Sequence, residues 1–292
     1  MALLVVDIGG TTVKYALYKD NHLQDASSFR TPKSWEEMKA HLFEVRSSFI
    51  DESIEGIAIS SPGAVDVNNG IIHGISAIPY IHEFEIVREL EELFQLPVTI
   101  ENDANCAALA ELAYGVAKSV GTVLFFIIGS GVGVAVAIDG KLHKGPNLFG
   151  GEFGYMILNN GYTLSQLASP VHVANRYSSE NRLSTPISGQ ELFQLSDSGD
   201  LGAGEAVKGL IQALGSGIFN SSLVLNPDLV VLGGAISKRK ALVKEILEQI
   251  DCLREKTGAE DLTIPLATCQ FYNDANLLGA VVHFQSRKDT EA

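Results

Sequence analysis

Hydrophobic and polar positions at the start of the chain predict a β-hairpin. An apolar run over residues 3–6 ends in Asp7, and a second, partly alternating run begins at Val13. The turn between the two runs consists of Gly9, Gly10, Thr11 and Thr12. Glycine pairs between strand-like runs are typical of tight hairpins. These glycines can take positive φ and leave room for a ligand near the backbone.

The carboxylate of Asp7 stands beside this turn, and its position suggests chemistry. A carboxylate at a glycine-rich tip is oddly placed unless a cation binds there. One interpretation is a phosphate-binding hairpin whose Asp7 reaches a hydrated magnesium ion. The alternative is an ordinary hairpin with an exposed aspartate, since glycine turns are common.

The same pattern returns in the middle of the chain. Residues 121–128 are apolar almost throughout, as in a strand buried on both faces. A second strand is predicted over residues 134–138. The tip between them reads Gly129-Ser130-Gly131-Val132-Gly133. A single glycine-rich turn is a weak motif, but two such hairpins suggest duplicated lobes that grip one polyphosphate from both sides.

A third candidate feature is a strand-to-helix junction. A short strand over residues 98–101 is followed by Asn102 and Asp103, and the alanine-rich run over 104–113 favours a helix. Ligands of open α/β sheets bind at the carboxyl ends of the strands. Asn102 and Asp103 are therefore candidates to contact a polar substrate. The alternative is that Asp103 only caps the helix.

Two further turns are rich in glycine or proline. Pro62 and Gly63 predict a fixed turn after a strand over residues 54–60. Residues 149–155 form a glycine-dense loop around Glu152, either a ligand contact or a plain surface loop. Elsewhere we expect a helix over 163–175, a polar loop over 177–188, a long helix over 205–225 and a last helix over 273–284. The charged tail from Ser286 is expected to fray.

Composition narrows the classes of protein. The chain has 292 residues, 46% of them hydrophobic and 19% charged, which predicts a globular protein of two domains. No apolar run is long enough to span a membrane, and no export signal is evident. Three isolated cysteines indicate neither a disulfide framework nor a metal knuckle. We therefore expect a cytoplasmic protein. The net charge of −14 argues against a nucleic-acid partner but not against a phosphorylated ligand.

The order of these motifs resembles the ROK family (repressors, open reading frames, kinases) of the actin/hexokinase/Hsp70 superfamily. The resemblance covers nearly the whole chain. The matching segments are Asp7-Ile8-Gly9-Gly10-Thr11, Pro62-Gly63-Ala64-Val65-Asp66, Glu101-Asn102-Asp103-Ala104-Asn105, Gly129-Ser130-Gly131-Val132-Gly133, and Asn226-Pro227-Asp228 through Gly233-Gly234. The C-terminal helix resembles the family's connecting helix.

The resemblance implies a fold and a division of the chain. The implied fold is α/β: a two-lobed actin-like ATPase, ribonuclease H-like, with a central mixed sheet in each lobe and an interlobe cleft. One lobe would comprise residues 1–117 and 275–292, with the first phosphate segment, the sugar side and the catalytic Asp. The other would comprise residues 118–274, with the second phosphate segment, the adenosine segment and the dimer contacts. Closure of the lobes on sugar is expected about a hinge near residues 115–121.

The resemblance also implies an activity, the ATP-dependent phosphorylation of a hexose or hexose derivative. Asp103 would be the catalytic base, and Asp7 would hold Mg²⁺ through water. The sugar would contact Gly63, Asn102, Asp103, Glu152 and Tyr155. The nucleotide would contact Asp7, Gly9, Gly10, Thr11, Thr12, Ser130, Gly131, Gly133, Gly233 and Gly234. Members of the family often form homodimers, and we expect one here.

Two departures from the family pattern qualify this expectation. Tyr155 stands where the family has a histidine that serves a sugar hydroxyl and a zinc ion, and Ser165 stands where a glutamate is usual. The zinc knuckle that should follow is absent, because residues 159–165 contain no cysteine. We therefore expect no structural zinc. An alternative function is a non-catalytic sugar-binding sensor. A DNA-binding repressor is disfavoured by the acidic chain and by the two residues before the first strand.

Overall fold

A computed structural model describes residues 1–291, without the side chains at positions 273 and 289–291. The chain folds into two compact units. Unit 1 comprises Met1–Ala113, Pro146–Phe149 and the C-terminal segment from Asn273. Unit 2 comprises Tyr114–Gly145 and Gly150–Tyr272. The division therefore assigns a short piece of the middle of the chain, Pro146–Phe149, to unit 1.

The strands, in chain order, are β1 (Ala2–Ile8), β2 (Thr12–Lys19), β3 (His22–Arg30), β4 (Ile54–Ser61), β5 (Ala64–Asp66), β6 (Ile71–His73), β7 (Val98–Asn102), β8 (Val123–Ile128), β9 (Val132–Ile138), β10 (Lys141–Leu142), β11 (Leu229–Gly233) and β12 (Leu266–Thr268). The helices are α1 (Trp35–Ser48), α2 (Ile86–Phe94), α3 (Asp103–Tyr114), α4 (Leu164–Ala168), α5 (Pro170–Glu180), α6 (Gly189–Asp197), α7 (Leu201–Leu225), α8 (Leu242–Thr257) and α9 (Ala275–Glu291).

The sheet of unit 1 has the strand order β3-β2-β1-β4-β7. The pairs β3/β2 and β2/β1 are antiparallel, and β1/β4 and β4/β7 are parallel. Strand β1 is buried on both faces. Its Leu4 and Val6 pack in a core with α1 and α2, whereas Leu3 and Val5 pack in a second core with α9. This alternation follows from the two-residue period of a strand.

The sheet of unit 2 repeats this arrangement. Its order is β10-β9-β8-β11-β12, and again the first two pairs are antiparallel and the last two parallel. The long helix α7 supplies much of the core, including Leu210, Leu214 and Ile218. The prediction of an α/β fold with a central mixed sheet in each half is confirmed.

The region between residues 163 and 188 differs from the expectation. One helix was predicted over 163–175, but α4 ends at Ala168 and α5 begins at Pro170. Proline cannot donate the backbone hydrogen bond that a continuous helix needs, yet it suits the first position of a new one. The loop predicted over 177–188 is wrong in its first part, because α5 continues to Glu180.

Two other elements also depart from the sequence-based expectation. Helix α6 was not predicted, although Ser188 and Glu191 form a capping box that marks its start. The tail expected to fray from Ser286 continues α9 to Glu291. Among residues 1–291, no helix combines the length and apolarity that crossing a bilayer requires.

Candidate functional site

The glycine tip between β1 and β2 is fixed by hydrogen bonds. Gly9 N–H donates to the carbonyl O of Thr12 at 3.1 Å, and Thr31 Oγ1 donates to the carbonyl O of Gly9 at 2.6 Å. Neither Gly9 nor Gly10 uses the positive φ that glycine allows. The glycines serve close packing instead: a Cβ on Gly10 would lie 2.8 Å from the Cβ of Ala77.

Asp7 lies at the end of β1, immediately before this tip, and is only 7% exposed. Its Oδ1 accepts hydrogen bonds from Ser60 Oγ at 2.8 Å and from Asn276 Nδ2 at 3.0 Å. Its Oδ2 lies 3.9 Å from Nζ of Lys14. The alternative of an ordinary exposed aspartate is therefore wrong. β4 and α9 both contribute a donor that orients this carboxylate.

Asp7 suits a magnesium ion held mostly by water and phosphate. Mg²⁺ prefers oxygen ligands and in phosphoryl-transfer sites is usually bound through one or two carboxylates. The two donors to Oδ1 are neutral, and the ammonium of Lys14, 3.9 Å from Oδ2, compensates the charge of the carboxylate only in part. Within the described part of the chain, no group of three or more His, Cys, Asp or Glu residues forms a metal cage. The single carboxylate at the tip is the arrangement expected for Mg²⁺ bound together with a nucleotide.

Asn102 and Asp103 stand where β7 passes into α3. Asn102 Oδ1 accepts the amide N–H of Asn105 at 3.1 Å, which is the capping bond of the helix. Asp103 is the first helical residue, and its Oδ1 accepts the amide N–H of Ala104 at 2.8 Å. Because Asn102 caps the helix, capping does not account for an aspartate at position 103.

Asn102 also joins this junction to the turn at Gly63. Its Nδ2 donates to the carbonyl O of Gly63 at 3.0 Å. Gly63 has φ +103°, and a Cβ there would lie 2.6 Å from Cγ2 of Ile72, so the turn requires glycine. The structure thus brings together Gly63, Asn102 and Asp103, three of the residues predicted to contact the substrate.

Glu101 is a buried residue of this junction that the sequence analysis did not single out. Its Oε1 accepts Asn102 N–H at 2.7 Å and Asn105 Nδ2–H at 3.1 Å. The pKa of the nearby Cys106 thiol is affected by the negative charges around it. Burial raises the pKa of Cys106, and the charges of Glu101, Asp7 and Asp103 raise it further. These three carboxylates therefore share one region of unit 1.

The glycine tip between β8 and β9 lies in unit 2 and is braced by two serines. Gly129 N–H donates to the carbonyl O of Gly131 at 2.9 Å. The buried Ser169 Oγ lies 2.8 Å and 3.0 Å from the carbonyl oxygens of Gly129 and Ser130 and shares its proton between them. Ser165 Oγ accepts Val132 N–H at 3.0 Å.

Ser169 was missed by the sequence analysis, although a signal was available. A serine immediately before a proline is a common start of a helix, and Ser169 caps α5. Its hydroxyl then also reaches the tip.

Gly133 lies within β9, opposite Ile127 of β8. Apart from Gly129 and its two chain neighbours, no described residue has an atom within 4 Å of a Cβ built on Gly129, so the backbone is approachable there.

The loop around Glu152 adjoins this second tip. Gly151 has φ +99°, and a Cβ on Gly154 would lie 2.6 Å from Oγ of Ser165. Both glycines thus permit the loop to pack closely against β9 and α4. Burial raises the pKa of the half-buried Glu152 carboxyl. Tyr155 is 64% exposed.

The predicted adenosine segment, Gly233 and Gly234, ends β11. Gly234 has φ +84°, and a Cβ there would overlap the backbone of Ile128. This segment therefore lies directly beside the end of β8, whose next residues form the second tip. Unit 2 thus holds Ser130, Gly131, Gly133, Glu152, Tyr155, Gly233 and Gly234. Unit 1 holds Asp7, Gly9, Gly10, Thr11, Thr12, Gly63, Asn102 and Asp103.

Comparison with known proteins places this arrangement in a family. A sequence profile described as the ROK family matches residues 3–287. The chain is 30% identical to a beta-glucoside kinase from Listeria monocytogenes, over 97% of each chain. It is 27% identical to the xylose repressor of Bacillus subtilis, over 82% of this chain and 62% of the repressor.

Two solved structures are similar over almost the whole chain. One is a ROK family protein from Streptococcus pneumoniae TIGR4 in complex with sucrose, with a TM-score of 0.88, 33% identity, and coverage of 99% of this chain and 100% of that one. The other is a ROK hexokinase from Thermus thermophilus, with a TM-score of 0.82, 28% identity and the same coverage. The resemblance inferred from the sequence is confirmed, and the protein belongs to the ROK family.

Proposed function

We propose that this protein is a carbohydrate kinase that transfers the terminal phosphoryl group of ATP to a hydroxyl group of a hexose or hexose derivative. Relatives with this activity extend over almost the full length of the chain. The observation that carries the proposal is the position of Asp103. Its carboxylate stands at the carboxyl end of a parallel strand, beside Asn102 and the Gly63 turn, and Asn102 relieves it of capping the helix.

Asp103 acts as the catalytic base in this proposal. It accepts a hydrogen bond from the attacking hydroxyl and takes its proton as the oxygen bonds to the γ-phosphorus. The bond from that phosphorus to the bridging oxygen breaks, and ADP leaves. Phosphoryl transfer passes through a loose transition state, so the main task of Asp103 is to position the hydroxyl.

The two glycine tips bind the phosphates in this proposal. Backbone N–H groups near Gly10, Thr11, Gly131 and Gly133 donate to phosphate oxygens and stabilise the charge in transfer. Thr12 and Ser130 add hydroxyls, and Gly233 and Gly234 border the adenosine. Asp7 would hold Mg²⁺, mostly through water, and the ion would supply positive charge to the phosphates. The hydrogen bonds from Thr31 and Ser169 to tip carbonyls support this role, since they fix the tips before ligand binds.

The substrate contacts proposed in unit 2 are Glu152 and Tyr155. Tyr155 offers one hydroxyl that can donate or accept a hydrogen bond, and it is longer than the histidine usual at this position. A pocket that pairs a particular hydroxyl discriminates strongly among sugars. Because several relatives are named beta-glucoside kinases and a similar protein was solved with sucrose, glycosides belong among the candidate substrates.

A coupled assay of ADP release tests the proposal. The protein is incubated with MgATP and a panel of free hexoses, N-acetylated amino sugars, β-glucosides and disaccharides. We expect saturable ADP release with at least one sugar and only a trace without sugar. No sugar-dependent ADP release across the panel would contradict the kinase proposal.

A second candidate is a non-catalytic sugar sensor, which the departures at Tyr155 and Ser165 favour. Ser165 is engaged with the amide of Val132 and therefore serves the tip. Saturable sugar binding by calorimetry without any ADP release would support the sensor. This test is needed because the relatives of the chain include a repressor, the xylose repressor of Bacillus subtilis.

Three further proposals concern the assembly, location and metal content of the protein. We propose a homodimer, a cytoplasmic location and the absence of structural zinc. Light scattering coupled to size-exclusion chromatography tests the first, and a mass corresponding to one chain would contradict it. Elemental analysis of the purified protein tests the third, and one zinc ion per chain would contradict it.

A further inference from the structure

Glu101 is a buried glutamate that immediately precedes two of the residues proposed to contact the sugar. It is the last but one residue of β7, which continues through Asn102 into α3. Glu101 lies opposite Ser60 of β4, and Ser60 lies opposite Asp7 of β1. Residues paired across neighbouring strands share one face of the sheet. Glu101 therefore projects from the same face as Asp7, the face that α9 covers.

The carboxylate of Glu101 accepts two hydrogen bonds on one oxygen. Its Oε1 accepts the backbone N–H of Asn102 at 2.7 Å and Nδ2–H of Asn105 at 3.1 Å. Asn105 in turn donates its backbone N–H to Oδ1 of Asn102 at 3.1 Å. Glu101, Asn102 and Asn105 thus form a closed ring of hydrogen bonds, in which each residue is joined to the other two.

This ring fixes the main chain of Asn102, and the Gly63 turn fixes its side chain. Nδ2 of Asn102 donates to the carbonyl O of Gly63 at 3.0 Å. An asparagine side chain offers two N–H donors and two lone pairs on its oxygen. One N–H and one lone pair of Asn102 therefore remain for a ligand. Their direction is set before the sugar binds, because both ends of the amide are already held.

We propose that Glu101 is a positioning residue of this kinase, whose carboxylate holds Asn102 and the following Asp103 in the orientation that phosphoryl transfer to the sugar requires. This inference rests on the proposed function and adds to it a residue that contacts neither sugar nor nucleotide. The role depends on the length of the glutamate side chain, because Oε1 must reach the main chain of Asn102 and the side chain of Asn105 at once.

Glu101→Asp and Glu101→Gln separate the length of this side chain from its charge. Aspartate keeps the charge but is one methylene group shorter, so it cannot make both hydrogen bonds. Glutamine keeps the length and the accepting oxygen. We expect kcat/KM for the sugar to fall roughly 10- to 100-fold in Glu101→Asp, since a reacting group misplaced by about 1 Å can cost that much. Glu101→Gln should stay within about 3-fold of the wild type.

The KM for MgATP shows whether the effect is confined to the sugar side. It should be unchanged in both variants, because the proposed phosphate contacts lie at the glycine tips. A general loosening of the protein would instead raise the KM for MgATP together with that for the sugar. Thermal melting of each variant shows whether it folds.

Glu111 is the matched control, because it is a second buried glutamate on the helix that Asp103 begins. It lies about 12 Å along α3 from Asp103, at a rise of 1.5 Å per residue. Glu111→Asp should leave kcat/KM for the sugar unchanged, even if it lowers the melting temperature.

Asn105→Ala replaces Glu101→Asp if that variant does not fold. It removes one of the two donors to Oε1 and places a good helix former in the first turn of α3. We expect kcat/KM for the sugar to fall by roughly 2- to 10-fold, the contribution of one hydrogen bond.

Four results would overturn the role of Glu101 and leave the kinase proposal standing. The first is a wild-type kcat/KM for the sugar in Glu101→Asp, or in Asn105→Ala where it is used instead. The second is an equal loss in Glu101→Gln, which would assign the effect to charge. The third is an equal loss in Glu111→Asp, and the fourth is a matching rise in the KM for MgATP. A wild type without sugar-dependent ADP release would overturn the kinase proposal and this inference together.

Discussion

Asp103 is the residue on which the proposed chemistry depends. Asn at this position keeps an oxygen that accepts the amide N–H of Ala104, as Oδ1 does now, so the start of α3 is preserved. It cannot accept the proton of the attacking hydroxyl. We expect Asp103→Asn to lower turnover by about 10²-fold or more.

The assay of ADP release checks this prediction at saturating sugar and MgATP. Asp25→Asn is the matched control, because Asp25 is exposed and its φ of +51° suits asparagine. It should retain full turnover, and both variants should melt as the wild type does. Near-normal turnover in Asp103→Asn would remove this residue from the catalytic role.

The partly buried carboxyl of Glu152 should make the stability of the protein depend on pH. Burial raises the pKa of its carboxyl above the ordinary value of 4.5. The protonated form thus favours folding, and this contribution is present below about pH 4.5 and lost as pH rises through the raised pKa. Glu152→Gln removes the cost of burying a charge. We expect this variant to melt at or above the wild-type temperature near pH 8, by at most about 2 °C, and to lose the difference near pH 4.

Thermal melts of Glu152→Gln and the wild type between pH 4 and pH 8 measure this effect. The control is Glu255→Gln, at an exposed position of α8, which should show no such trend. A stabilisation of Glu152→Gln that grows towards low pH would show that the sign of the argument is wrong. Since Glu152 is a proposed sugar contact, the same variant should bind sugar more weakly.

At the scale of elements, the sequence predicts the two glycine hairpins but not the long-range contacts that fix their tips. Both hairpins, β1–β2 and β8–β9, followed from apolar runs separated by glycines. The physical reason for Gly10 did not, because its neighbour Ala77 is 67 residues away in the chain and no local pattern records that contact. Ser169 likewise reaches its tip from a position 36 residues after Gly133.

Ser169 leads to a prediction about the second tip. Ser169→Ala leaves the carbonyl oxygens of Gly129 and Ser130 without this donor and removes the cap of α5. Loss of a buried hydrogen bond or cap costs about 1–3 kcal/mol. We expect the free energy of unfolding to fall by that amount and KM for ATP to rise. Denaturant unfolding measures the first quantity.

The exposed Ser179 on the same helix provides the control for this measurement. Ser179→Ala should change stability by less than about 0.5 kcal/mol. If Ser169→Ala is no less stable than Ser179→Ala, the hydrogen bonds from Ser169 to the tip do not contribute to the free energy of unfolding.

The close packing of α9 against α3 also contributes to stability in a way that a substitution can test. A Cβ on Gly279 would overlap the backbone of Cys106, so only glycine allows this approach. Gly279→Ala must push α9 away and with it Asn276, which orients Asp7. We expect a loss of at least about 2 kcal/mol of stability and weaker nucleotide binding.

Gly209 in α7 is the matched helical control, because, apart from its chain neighbours and its own helix backbone, no described atom lies within 4 Å of a Cβ built there. Gly209→Ala should stabilise the protein by about 0.5–1 kcal/mol through helix propensity. Chemical denaturation of both variants gives opposite signs if the packing argument holds. Equal effects would indicate that α9 adapts to the added methyl group without cost.

At the scale of the whole molecule, the two units share one topology. In each sheet the glycine tip joins the central strand, β1 or β8, to an antiparallel neighbour, β2 or β9. Two parallel strands lie on the other side of the central strand. The sequence analysis predicted this duplication from the tips alone. The division implied by the resemblance places residues 146–149 in the lobe of residues 118–274, whereas contacts in the structure group them with unit 1. Residues this far from their unit's other segments are assigned by contacts that no local pattern shows.

The last prediction concerns the stability of the whole chain in the presence of its ligands. A ligand that binds only the folded state stabilises it by about 2.7 kcal/mol at a concentration 100 times its dissociation constant. For a protein of this size that corresponds to a rise in melting temperature of roughly 5–10 °C. Asp103→Asn is the variant to use, because it holds sugar and MgATP without consuming them. We expect this rise with a sugar that the wild type phosphorylates, and none with a sugar that it rejects. If the accepted sugar leaves the melting temperature unchanged, the expectation that Asp103→Asn still binds the sugar is wrong, and Asp103 is then needed for binding the sugar as well as for turnover.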